Sequence, residues 1–182
     1  MIRPAAPLVF WLITQEVSMS SVPLPPSPIQ EVPTQLCAPS WKIRPLSLND
    51  ALHVSRLMPD LGYPMDHDTA ALRLQDMLAH QHKAGLIAFE ADQAVGLCQW
   101  HVVHSLLADP YLHLDALVVA ANHQGRGIGQ LLMSSVYAWA MQHGFKEVRL
   151  RSRPERKSAH RFYLAQGFEE NLTHTFRLTL QD

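Results

Sequence analysis

The stretch Leu114–Met133, LDALVVAANHQGRGIGQLLM, decides the fold. Its first residues, Leu114, Leu117, Val118 and Val119, form an apolar strand. A short polar loop follows and ends in Gln124-Gly125-Arg126-Gly127-Ile128-Gly129. An amphipathic helix begins at once, with Ile128, Leu131, Leu132, Val136 and Trp139 on its core face and Gly144 as its stop. Glycines let backbone approach a ligand and leave N–H groups pointing outward. The helix dipole adds partial positive charge at the same place. A strand feeding a glycine-dense helix start therefore suits a phosphate. Three glycines within five residues are more than a plain turn needs, since each costs up to about 1 kcal/mol against alanine in a helix.

Outward from this stretch, the chain divides in two. Eight of the thirteen prolines lie in residues 1–39, so this segment is expected to be a disordered tail, or to lie upstream of a true start at Met19. Leu8–Ile13 is apolar but too short to span a bilayer, and no small-residue cleavage site follows it. Residues 40–182 are expected to form one domain. The net charge of -1 points to neither nucleic acid nor an anionic membrane. Two cysteines make no disulfide framework and suit a reducing cytoplasm. The eleven histidines show no metal-ligand spacing, so no metal is expected.

The remaining elements follow from spacing and turn residues. Trp41–Leu46 alternates as a first strand, with Pro45 assigning it to an edge. Ser47 or Asn49 caps a helix through Met58, and Asp66 or Asp68 caps a second through Leu78. Leu86–Glu90 and Ala94–Val103 form a hairpin, and Tyr111–Val119 is the next strand. Glu147–Leu150 is a strand, Ser158–Gln166 a helix, and Phe168–Leu180 one or two closing strands. The order β-α-α-β-β-β-α-β-α-β predicts an α/β fold, a mixed sheet with helices on both faces.

Two phosphate loops are excluded at the glycines. A P-loop needs a Gly-Lys pair before Ser or Thr, and the chain has none. The dinucleotide fingerprint needs a third glycine where Gln130 stands. The pattern Q/R-x-x-G-x-G/A is satisfied by Gln124, Gly127 and Gly129. About 35 residues on, Ala159-His160-Arg161-Phe162-Tyr163-Leu164-Ala165-Gln166-Gly167-Phe168 forms a second motif. With these two motifs in this order, the chain resembles the GNAT superfamily of acyl-CoA-dependent N-acetyltransferases over roughly Trp41–Leu180.

The resemblance implies a mostly antiparallel mixed sheet splayed at the cofactor strand, and acetyl transfer to a primary amine within a ternary complex. It implies that the backbone of Leu117, Val118 and Val119 pairs with the pantetheine arm, and that a backbone N–H there polarises the thioester. Gln124, Gly125, Arg126, Gly127, Ile128 and Gly129 would hold the pyrophosphate of acetyl-CoA. Arg126 serves equally well as a solvated surface arginine. Tyr163 matches the family tyrosine that protonates the leaving thiolate, and a phenol with a pKa near 10 suits that step. Asp115 is the candidate base, with His113 as runner-up. Strand alternation puts both on the face of Leu117 and Val119. Many relatives carry an asparagine before the Ala-x-x-Phe-Tyr helix, where this chain has Glu155-Arg156-Lys157-Ser158, so Ser158 or Arg156 is assigned its place. The acceptor is a small-molecule or peptide amine, and a homodimer is within the family's habits. A non-catalytic acyl-CoA-binding module is the alternative, against which Tyr163 and a nearby acid weigh.

Overall fold

A computed structural model describes residues 41–171 and 176–179. The proline-rich segment 1–39 lies outside them, as does part of the expected closing strands. The sheet has five strands in sequence order: β1 (Trp41–Pro45), β2 (Lys83–Glu90), β3 (Gln93–Val103), β4 (Tyr111–Val119) and β5 (Val148–Leu150). β1 through β4 pair antiparallel, and β4 pairs parallel with β5, so the sheet is mixed and mostly antiparallel. The helices are α1 (Ala51–Leu57), α2 (His67–Ala79), α3 (Ile128–Gln142) and α4 (Lys157–Ala165). The closing strands are not found in the part that is described: residues 168–171 and 176–179 join no strand, and the latter four are exposed. β5 has only three residues and offers a closing strand a short edge to pair with.

Each face of the sheet buries its own cluster. On one side Trp100, Leu112 and Leu114 meet Ile128, Leu132, Met133, Val136 and Trp139 of α3, with Phe162 and Tyr163 of α4 packed against them. On the other side Ile87, Leu97 and Val118 meet Leu57, Leu74 and Met77 of α1 and α2. Helices thus cover both faces, because both strand faces and one stripe of each helix are apolar. α2 starts where Asp66 accepts a hydrogen bond from the Thr69 amide at 2.7 Å, as its sequence predicts. Before α1, a short 3-10 turn at Leu48–Asp50 replaces the first helical turn. There Asp50 is buried, accepts from the Ser47 amide at 2.8 Å, and takes a two-pronged bond from Arg44 at 2.7 and 2.6 Å. Burial pushes the Asp50 carboxyl up, but the bonds from Arg44 and Ser47 outweigh it and hold the group below the usual carboxylate range.

Two irregularities in β4 shape everything downstream. Its pairing with β5 covers Leu112, His113 and Leu114 and then ends, while β4 runs on to Val119. The two parallel strands therefore part after Leu114, which is the splay. On the opposite edge, Gln99 pairs with Ala116 and Trp100 with Leu114, so Asp115 is an extra residue, a β-bulge.

Candidate active site

The bulge corrects the placement of the acid. Strict alternation would set His113 and Asp115 on the face of Leu117 and Val119. Instead Leu112, Leu114, Leu117 and Val119 all pack on the α3 cluster, and Val118 packs on the other. The extra residue shifts the parity of the strand between Leu114 and Leu117. Asp115 consequently lies with His101 on the α1/α2 side. Its Oδ2 stands 2.8 Å from His101 Nδ1 and 3.4 Å from Gln99 Nε2. His113 lies beside this group, its ring 5.4 Å from that of His101. Burial holds the His113 imidazole below the ordinary histidine range, against the pull of Asp115.

From Asp115 the splay opens into a cavity of about 790 Å³. Ala116–Val119 form one wall, and Ser158, Phe162 and Tyr163 of α4 form the opposite one. Its floor is the start of α3, with Gln124, Gly125, Gly127, Ile128 and Gly129. Gly125 and Gly127 have φ of 76° and 91°. Side chains rarely adopt that left-handed conformation, so these two glycines are required by the turn. Gln124 donates from its side chain to the Val119 carbonyl at 3.1 Å and ties the loop to the strand end. Asp60 accepts from the Ala121 amide at 2.9 Å and ties the loop to the α1–α2 connection.

Every sequence-predicted site residue except Arg126 and the runner-up base His113 lines this cavity. The Arg126 guanidinium instead bonds both oxygens of Glu90, lowering the Glu90 carboxyl below its usual range. Of the two residues in the asparagine's place, Ser158 lines the cavity on the first turn of α4. Arg156 also lines it but donates to the Leu61 carbonyl at 2.5 Å. Arg153 donates to the Tyr63 hydroxyl at 3.1 Å, so two arginines bridge the β5–α4 loop to the α1–α2 connection.

Tyr163 sits half-buried between Phe162 and Phe168, its ring 5.4 and 5.6 Å from theirs. Burial pushes its phenol above the ordinary tyrosine value, while the nearby Arg156 charge opposes this. The hydroxyl therefore stays protonated at neutral pH and is available to donate. His101 has no signal in the linear sequence. It lies 14 residues before Asp115 and meets it only through strand pairing.

A strand splayed from its parallel neighbour, a left-handed glycine loop at a helix start and a tyrosine facing both define an acyl-CoA-type transferase site. The model of the acetyltransferase (GNAT) family matches residues 51–168, and the chain belongs to that family. It is an acetyl-CoA-dependent N-acetyltransferase. An aminoglycoside N(6')-acetyltransferase type 1 of Stenotrophomonas maltophilia is 32% identical over 115 residues, 60% of this chain and 75% of the relative. An aminoalkylphosphonate N-acetyltransferase of Salmonella typhimurium is 28% identical over 122 residues, 66% of this chain and 77% of the relative. Among solved structures, the aminoglycoside N-acetyltransferase AAC(6')-Iy in complex with CoA superposes with a TM-score of 0.68 at 22% identity, covering 76% of this chain and 94% of that one. No helix among the described residues is long and apolar enough to cross a membrane.

Proposed function

We propose that this protein acetylates a small primary amine by direct transfer from acetyl-CoA in a ternary complex. The observation that carries this reading is that one cavity holds Asp115 and Tyr163 on either side of the splayed backbone Ala116–Val119. That backbone would hold the pantetheine arm, and Gln124–Gly129 would hold the pyrophosphate through backbone N–H groups and the α3 dipole. Ser158 closes the cofactor channel from α4. Arg126 serves the loop from outside, through Glu90.

The acceptor nitrogen attacks the thioester carbonyl carbon, and its lost proton passes to the Asp115 carboxylate, directly or through one water. A backbone N–H at the splay stabilises the oxyanion. The C–S bond then breaks, and the departing thiolate takes the proton of the Tyr163 hydroxyl. No covalent acetyl-enzyme is needed. Cys98 is fully buried, and burial pushes its thiol up to about 12, which removes it as a nucleophile. Related enzymes named for aminoglycosides and for an aminoalkylphosphonate support a small amine as acceptor, and, from the sparse cysteines, we place the enzyme in the cytoplasm.

A thermal-shift titration of the full chain with acetyl-CoA, CoA and NADH tests the cofactor. Acetyl-CoA and CoA raise the melting temperature and NADH does not. An amine screen then uses an aminoglycoside and an aminoalkylphosphonate as acceptors. Tyr163→Phe lowers turnover about 100-fold while acetyl-CoA still binds. Unchanged turnover in that variant removes Tyr163 as the acid.

A further inference from the structure

The α1/α2 side of β3 and β4 carries polar groups that neither apolar cluster uses: Gln99, His101, His113 and Asp115. Lysine or arginine pairs with Asp50, Asp76, Glu90 and Glu147 among the described residues, whereas Asp115 is left to a histidine. Asp115 lines the cavity and His101 stands behind it, so the histidine reaches the reaction only through the carboxylate. Resting on the transferase reading above, we infer that His101 is a positioning residue that gates Asp115 by its own protonation state.

The geometry dictates how. A bare imidazole lone pair 2.8 Å from a carboxylate oxygen would repel it, so Nδ1 carries a hydrogen and donates to Asp115 Oδ2. The nitrogen that gains and loses a proton is then Nε2. With Nε2 bare, the neutral ring fixes one carboxylate oxygen and leaves the other to take the acceptor's proton. With Nε2 protonated, the ring is a cation against the carboxylate. An adjacent cation favours the charged form of a carboxylate and so weakens it as a base. Protonation of the His101 ring therefore weakens Asp115 as a base.

The surroundings assign this role to His101 over its neighbour. His113 is half-buried, faces Asp115 and His101, and feels Arg149 and Arg151 from the β5 side. Burial already keeps it neutral, so it has no switch to throw near neutral pH. From β2, Lys83 is the register partner of His101, with its amine 3.6 Å from Asp76 of α2. Gln99 adds a second, uncharged donor to Asp115.

Two measurements on the full chain test the inference. The first is the ring-nitrogen NMR shifts of His101 at a pH where the ring is neutral, which need no turnover. The proton is expected on Nδ1 in the native protein and on Nε2 in Asp115→Ala. A native ring protonated on Nε2 overturns the inference. The second is the ratio of native to His101→Gln kcat/KM across pH, in which the titration of the acceptor amine cancels. The native advantage is expected to be about tenfold at pH 8 and to shrink to about twofold by pH 5.5, below the ~10²–10⁴ of a general base itself. The corresponding ratio for His113→Gln stays flat. A His101→Gln ratio that does not change with pH, in a chain that binds acetyl-CoA, overturns this inference alone. Failure of the native chain to bind acetyl-CoA overturns the transferase reading and this one with it.

Discussion

The Arg44–Asp50 corner and the β4 bulge each place an aspartate at an irregularity beside the sheet, and they use it in opposite ways. Asp50 is 1% exposed in its side chain and saturated by donors from Arg44 and Ser47. It has no lone pair to spare for a ligand, and it fixes how β1 turns into α1. Asp115 keeps 29% of its side-chain exposure, has a histidine and a weak amide contact as partners, and faces a cavity. A buried carboxylate satisfied on all sides is part of the scaffold. One left underpartnered at a bulge is available for chemistry.

The contrast can be broken at either end. The largest effect is expected from Asp115→Asn: kcat/KM with the best acceptor falls about 10³-fold, roughly 4 kcal/mol of barrier, while the melting temperature moves by less than about 2 °C. Asp50→Ala should do the reverse. Removing the buried carboxylate and its bonds to Ser47 and to the part-exposed Arg44 costs about 2 kcal/mol and lowers the melting temperature by about 4–8 °C, with turnover per folded molecule unchanged. If Asp50→Ala silenced the enzyme without destabilising it, the division between the two aspartates would be wrong. Acid sharpens the comparison. Because folding lowers the Asp50 pKa, its contribution is fully present above the unfolded carboxylate value of about 3.9 and is lost as pH falls through the lower folded value. Melting curves of the native chain and Asp50→Asn should therefore begin to converge as the pH falls below about 4. The smallest effect is expected at the other end of the cavity. Gly127→Ala, at a φ of 91°, costs about 1–2 kcal/mol of stability and weakens acetyl-CoA several-fold, read by calorimetric titration.

Much of this molecule was legible in its sequence because the decisive signals are local. Gly125 and Gly127 adopt backbone angles that little else tolerates, and the strand and helix on either side carry their own periodicities. Tyr163 was found by its place in a contiguous motif. What was not legible depends on pairing across the sheet. The bulge at Asp115 exists only in the register of Gln99 and Trp100 against Ala116 and Leu114, so alternation assigned the aspartate to the wrong face. His101 is invisible for the same reason. Arg126 looked like a phosphate ligand because it stands among the glycines of the loop. Its partner Glu90 lies 36 residues away at the end of β2, and that pair turns the guanidinium aside. The 3-10 turn before α1 also depends on a partner outside the segment, since Arg44 of β1 pulls Asp50 into place.

The bulge has a consequence for how such a protein evolves. Without Asp115, strict alternation would keep Leu112, Leu114, Leu117 and Val119 on one face and leave Val118 on the other, so the core pattern survives the deletion intact. A chain one residue shorter would make a more regular ladder, with no residue left unopposed. Under the proposed function, the extra amino acid is a standing concession of architectural order to reactivity. Selection for stability alone, in the laboratory or in a lineage that has lost its substrate, should find that single-codon deletion an easy way to trade one for the other.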